Sequence, residues 1–124
     1  MENPQKVTLF LGKFSSQKRL NSFLEEHYDE DAEVSSEFME AFQIEYIDHD
    51  FQEVDFYTNK TSKEAIFKDF SYVESFIKEI PELDWKAYNS IILLYNFKYP
   101  GTIKETKNVK FIATFEYKEE ANNP

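Results

Sequence analysis

The chain has no cysteine. That excludes a disulfide framework, a thiolate nucleophile and a cysteine-containing zinc site, and it fits a reducing compartment. Gly12 and Gly101 are the only glycines, too few for a phosphate-cradling loop, and no nucleophile-elbow motif is present. Two histidines, His27 and His49, with no cysteine to join them, make a transition-metal site a poor reading. The longest uninterrupted apolar run, Ile91 to Tyr95, falls far short of the ~20 residues of a membrane span. Residues Met1 to Lys6 carry no basic-then-apolar leader, so no signal peptide is expected. The sharpest absence is of charge of one sign: from Leu20 to Asn59 there is no Lys or Arg.

That stretch instead carries thirteen of the chain's 24 acidic residues. The remainder holds eleven acids against all fourteen bases, so the formal net charge of −10 is made entirely inside those forty residues. Such asymmetry speaks to partners rather than to fold. A pI near 4.6 disfavours direct binding to nucleic acid or to an anionic membrane, because phosphate contacts need Lys and Arg. It favours a basic protein partner. Thirteen Phe and eight Tyr in 124 residues supply large apolar area per side chain, so the chain is no disordered acidic tail. The length suits a single domain over residues 1–124.

Lys6 to Phe14 alternates and reads as a strand, with Val7, Leu9 and Leu11 on one face. Leu20, Phe23, Leu24 and His27 then form a helical stripe. On its other face the bases Lys18 and Arg19 come first and the acids Glu25 and Glu26 last, an order that opposes the helix dipole. Tyr28 to Val34 reads as an acidic loop. Ser35 or Ser36 caps a short helix carrying Phe38, Met39 and Phe42, and Ile44 to Asp50 is a connector. Phe51 to Thr58 alternates, with Val54 and Phe56 opposite Glu53, Asp55 and Tyr57, as expected of a strand with one wet side near a sheet edge. Capping boxes at Thr61–Glu64 and Ser71–Glu74 open helices, the second running to Ile80 before Pro81. Ser90 to Tyr99 reads as a central strand buried on both faces. It is expected to form an antiparallel hairpin with Val109 to Lys118, and the tail from Glu119 to Pro124 to fray. The expected fold class is α+β, order β-α-α-β-α-β-β, with helices against a mostly antiparallel sheet of about four strands.

The acids invite chemical readings that weaken on inspection. Counting from Asp29, carboxylates fall at positions 1, 3, 5, 9 and 12 of a calcium-loop pattern, but position 6, which needs glycine, is Val34, and a helix begins inside the supposed loop. Asp48-His49-Asp50 is better read as a polar connector than as metal ligands or an acid–base set. Trp85 and the tyrosines 46, 57, 72, 88, 95 and 99 read mostly as packing, with two or three exposed as interface anchors. No cofactor, metal or catalytic residue is assigned, and the chain is not expected to be an enzyme.

Several segments in order carry a resemblance to a known family: Val7 to Phe14, Tyr28 to Asp31, Ser36 to Met39, Asp50 to Glu53, Phe70 to Phe76, Ile92 to Phe97 and Lys110 to Ile112. Together they resemble the immunity protein 22 family of bacterial polymorphic-toxin systems. One departure is Ala32, where the family pattern leads one to expect glycine. The resemblance implies a cytoplasmic protein that binds and neutralises a cognate toxin domain. It assigns no functional residues, so the candidate surface rests on charge. Glu25, Glu26, Asp29, Glu30, Asp31, Glu33, Asp48, Asp50, Glu53 and Asp55 form the expected acidic rim, facing a basic and possibly nucleic-acid-cutting toxin. Tyr28, Tyr46 and Tyr57 are the candidate anchors. The competing readings are a small acidic adaptor for another basic protein and a calcium-binding domain.

Overall fold

The computed structural model describes residues 4–31 and 33–119. Ala32 and residues 120–124 of the expected frayed tail lie outside the described residues. Four strands, β1 (Lys6–Gly12), β4 (Gln52–Phe56), β5 (Ser90–Tyr95) and β6 (Val109–Glu116), form one antiparallel sheet in the order β4-β5-β1-β6. The α+β expectation holds. The expected hairpin between the last two strands does not, because β1 lies between β5 and β6 and pairs with both. Strand β5 is buried along its whole length, as its two-faced apolar sequence requires, and β4 is a sheet edge.

Alternation in the strands feeds two aromatic-rich cores, one on each face. Val7, Leu9, Leu11, Ile91, Leu93 and Tyr95 join Phe67, Phe76 and Trp85 on one side. Phe10, Ile92 and Leu94 join Phe23, Phe38, Phe42 and Tyr99 on the other. At the centre of the second core the fully buried Phe10 ring meets Phe38, Phe42, Tyr99 and Phe111, with centroids 4.9–5.8 Å apart. Edge-to-face pairs of this kind add about 0.5–1.5 kcal/mol each beyond burial.

The alternation of β6 is not continuous. Leu9 pairs with Ala113 but Phe10 pairs with Phe111, so Ile112 is an extra residue in a β-bulge. Side chains change faces every residue, and one inserted residue therefore reverses the parity. Ala113 and Phe115 pack in the first core, whereas Val109 and Phe111 pack in the second, although all four lie at odd positions. At Gly12, opposite Val109, a side chain would press on the Phe14 ring at 2.9 Å and the Asn108 carbonyl at 3.1 Å.

Helices α1 (Gln17–Leu24) and α2 (Glu37–Phe42) cover the second core. Ser16 and Ser36 cap them, accepting the Arg19 and Met39 amides at 3.1 Å each. Helix α1 stops at Leu24, so His27 leaves the helical stripe and enters a short hairpin, β2 (His27–Tyr28) paired with β3 (Val34–Ser35), where a loop was expected. Helix α3 (Lys63–Phe67) sits on the first core and is capped by Ser62, one residue after the Thr61 of the sequence motif. The helix expected over 71–80 is absent: two 3₁₀ turns at Val73–Ser75 and Ile77–Glu79 replace it. Ser71, its expected cap, instead donates its amide and hydroxyl to Glu53, while its carbonyl accepts the Tyr95 hydroxyl. Tyr72 then takes a left-handed conformation, φ 59°, which breaks a helix. Val73, Phe76 and Ile80 still reach the core.

Candidate functional site

The carboxylates of the acidic stretch collect on two different sides of the sheet. The larger group lies at the end of α1 and in the hairpin that follows. Glu25 is the exposed C-terminal cap of α1. Asp29 begins the hairpin turn: its amide donates to the Glu33 carbonyl at 3.0 Å, and its Oδ1 accepts the Asp31 and Glu33 amides at 2.8 and 2.9 Å. An Asp side chain turned onto its own following backbone makes a tight turn without glycine. The turn holds Glu30, Asp31 and Glu33 exposed, with Tyr28 beside them at 72% exposure.

A second segment is tied to the root of this hairpin. Asp48 caps a 3₁₀ turn at His49–Phe51, its Oδ1 accepting the Asp50 amide at 3.0 Å. Across the gap, His49 Nε2 meets Glu26 Oε2 at 2.7 Å. Asp48-His49-Asp50 thus works as a cap and as a side-chain partner of Glu26. No sequence pattern announces this pair, because nothing local relates residues 26 and 49. Of the remaining acids, Glu37 takes a bidentate pair from Arg19 at 3.2 and 3.0 Å, and Glu40 accepts the Ser35 hydroxyl at 3.0 Å.

Glu53 and Asp55 do not belong to this group. On β4 they face away from the helices α1 and α2, since the alternating Val54 and Phe56 pack into the core beneath those helices. Glu53 is held by Ser71, and Asp55 lines a cavity of about 310 Å³ with Ile66, Asp69 and Phe70 of the α3 side. Tyr57 is the clearest correction: it is 4% exposed and its hydroxyl donates to the Trp85 carbonyl at 2.8 Å. Burial, with Tyr88 and Asp84 nearby, pushes its phenol up to about 12. Among the described residues, Tyr28, Tyr46 and Tyr72 are the exposed large apolar side chains.

The calcium reading loses its geometry here. Asp29 is occupied by its own turn, and the supposed positions 9 to 12 are helix α2. Among the described residues, no group of three His, Asp or Glu side chains is placed to hold a metal ion. Also among these residues, no helix is long and apolar enough to cross a membrane. The arrangement presents fixed negative charge outward and can steer and orient a cationic surface.

The sequence reading missed a concavity on the same end of the molecule. Gln43 closes α2 in a left-handed conformation, φ 57°, and the Ile44 amide returns to the Met39 carbonyl at 2.8 Å. The chain then runs to Asp48 with Ile44 and Ile47 turned inward and Glu45 and Tyr46 outward. Together with residues 94–98 and Pro100 this segment encloses a cleft of about 550 Å³. The one available signal was the spacing of Ile44 and Ile47 in an otherwise polar connector.

Comparison with known proteins places these observations. Neither the curated proteins nor the solved structures give a significant match. A family model described as Immunity protein 22 matches residues 7–118, from β1 to just beyond β6. That match supports an immunity function and a toxin as the general class of partner; families of this kind are generally non-enzymatic. The chain belongs to the immunity protein 22 family.

Proposed function

We propose that this protein neutralises a cognate toxin domain by docking the acidic end built from the 27–35 hairpin and the 48–50 turn onto a basic toxin surface, of the kind a nuclease uses for its substrate. The observation that carries the reading is the contact between Glu26 Oε2 and His49 Nε2 at 2.7 Å. It joins two acidic segments distant in sequence into one support for outward carboxylates. Glu25, Glu30, Asp31, Glu33 and Asp50 are exposed there, while Glu26, Asp29 and Asp48 fix the backbone that presents them. Glu53 and Asp55 take no part, and of the three candidate anchors the buried Tyr57 drops out while the exposed Tyr28 and Tyr46 remain. The protein acts in the cytoplasm as one binding domain, contacting neither nucleic acid nor membrane itself.

A field of this sign raises association rates by about 10- to 1000-fold at low salt and loses that advantage as salt rises. The test is association kinetics with the toxin domain encoded by the adjacent gene, at several salt concentrations. Replacing Glu30, Asp31 and Glu33 by Lys leaves the fold intact, since their side chains are exposed, and is expected to slow association and flatten its salt dependence. Unchanged kinetics and unchanged salt dependence would sink the acidic-face reading.

A further inference from the structure

Charge alone does not give a tight complex, because rim charges mainly set association rate while affinity comes from a desolvated anchor in a pocket. We infer that the anchor pocket on this protein is the cleft between residues 43–48 and 94–100, and that its occupant is an apolar side chain of the toxin carried next to a Lys or Arg. This inference rests on the immunity reading above.

The cleft has a built floor and a charged lip. Ile44, Ile47, Leu94 and Phe97 supply apolar lining. Its volume of about 550 Å³ lies within the roughly 300–1,000 Å³ range of ligand pockets and exceeds one side chain, leaving room for the backbone that carries it. Both walls are held by contacts outside the cleft. On one side Ile44 is tied back to α2. On the other, Asn96 ends β5 in a left-handed conformation, and the Phe97 carbonyl accepts the Thr8 hydroxyl at 2.7 Å. The Tyr99 hydroxyl then crosses to the Phe42 carbonyl at 3.1 Å, fastening one wall to the other. A pocket whose walls are already fixed costs its ligand little ordering.

Charge complementarity selects the occupant. Glu45 and Asp48 are the acids of the lining, both reaching solvent, Asp50 follows Asp48 two residues on in the 3₁₀ turn, and Lys98 is the one lysine of the lining. A purely apolar partner leaves the lip carboxylates to be desolvated without compensation, whereas a neighbouring Lys or Arg pairs with them. Tyr46, 68% exposed and also lining the cleft, offers an aromatic face against which a guanidinium or ammonium can sit. The Glu26–His49 pair places this lip beside the acidic hairpin, so steering and anchoring share one end of the molecule.

The experiment has two arms. In the first, the isotopically labelled protein is titrated with acetyl-Phe-Arg-amide, acetyl-Phe-Glu-amide and acetyl-Ala-Arg-amide, and amide shifts are followed by NMR. Shifts confined to residues 43–51 and 94–100, largest for the Phe-Arg peptide, are expected; shifts elsewhere, or equal shifts for all three, overturn the cleft assignment. In the second arm, Tyr46→Ala and Glu45→Lys are measured against the toxin domain. Both side chains are exposed, so folding is preserved. Weakening of roughly tenfold or more, mainly through faster dissociation, is expected of a true anchor site. If the toxin binds wild type and both variants equally, the cleft is wrong while the immunity reading stands; if wild type does not bind at all, both fall.

Discussion

Removal of the Tyr57 hydroxyl separates a core role from an interface role and has opposite consequences at neutral and alkaline pH. At neutral pH, Tyr57→Phe deletes the hydrogen bond to the Trp85 carbonyl, which keeps only the longer bond from the Tyr88 amide at 3.3 Å. The expected loss is about 0.5–1.5 kcal/mol of stability. At high pH the sign reverses. Burial raises the Tyr57 phenol from 10.0 to about 12 in the folded chain. A group whose folded value lies above its unfolded value contributes stability that is fully present below the unfolded value and is lost as pH climbs to the folded one. The window is therefore pH 10 to about 12. At about 1.4 kcal/mol per unit, the full loss is about 2–3 kcal/mol. Tyr95 and Tyr117 are also raised, chiefly by burial, and act with the same sign, Tyr95 further opposed by the charge of Glu53. Against a total of about 5–15 kcal/mol, the Tyr57 contribution alone is a substantial fraction, so stability should fall steeply in alkali. Parallel titrations of tyrosinate absorbance and circular dichroism should show these phenols ionising together with loss of structure. The Tyr57→Phe variant, less stable at neutral pH, should close its gap to wild type as pH passes 10, and its folded fraction should bind toxin with unchanged affinity. Phenols that all titrate near their ordinary value while the fold survives would refute the burial argument, as would a Tyr57→Phe protein of wild-type stability at neutral pH.

Two further perturbations address the site and the sheet. Asp29→Ala removes the acceptor of the Asp31 and Glu33 amides and should cost about 1 kcal/mol, seen as faster hydrogen exchange at those two amides with the core amides unaffected. Deleting Ile112 should be tolerated. With the bulge gone the register with β1 runs on unbroken, and alternation keeps Val109 and Phe111 on the face opposite Ala113 and Phe115, so a cooperative thermal transition should survive, lowered by the lost packing of Ile112; no transition at all would refute this account of the bulge.

Local chemistry was enough wherever a residue's environment is set by its neighbours in sequence. The cap at Ser36, the buried run from Ile91 to Tyr95 and the short helix ending at Phe67 follow from spacing and hydrogen-bonding capacity alone. So does the excess of charge in residues 20–59, which needs no coordinates to suggest a basic partner. Tertiary structure decided everything that depends on where distant segments meet. Ser71 could cap a helix, but Glu53 reached it first from the sheet edge, and the helix gave way to 3₁₀ turns. An uninterrupted alternation in β6 hid a bulge, because the extra residue is defined only by its partner strand. Tyr57 and Tyr46 are equally aromatic and equally set among acids, yet one is buried under Trp85 and the other stands in water. The acids themselves divide for the same reason: charge is a property of sequence, but the side of the sheet on which it stands is set by pairing and packing across the whole chain.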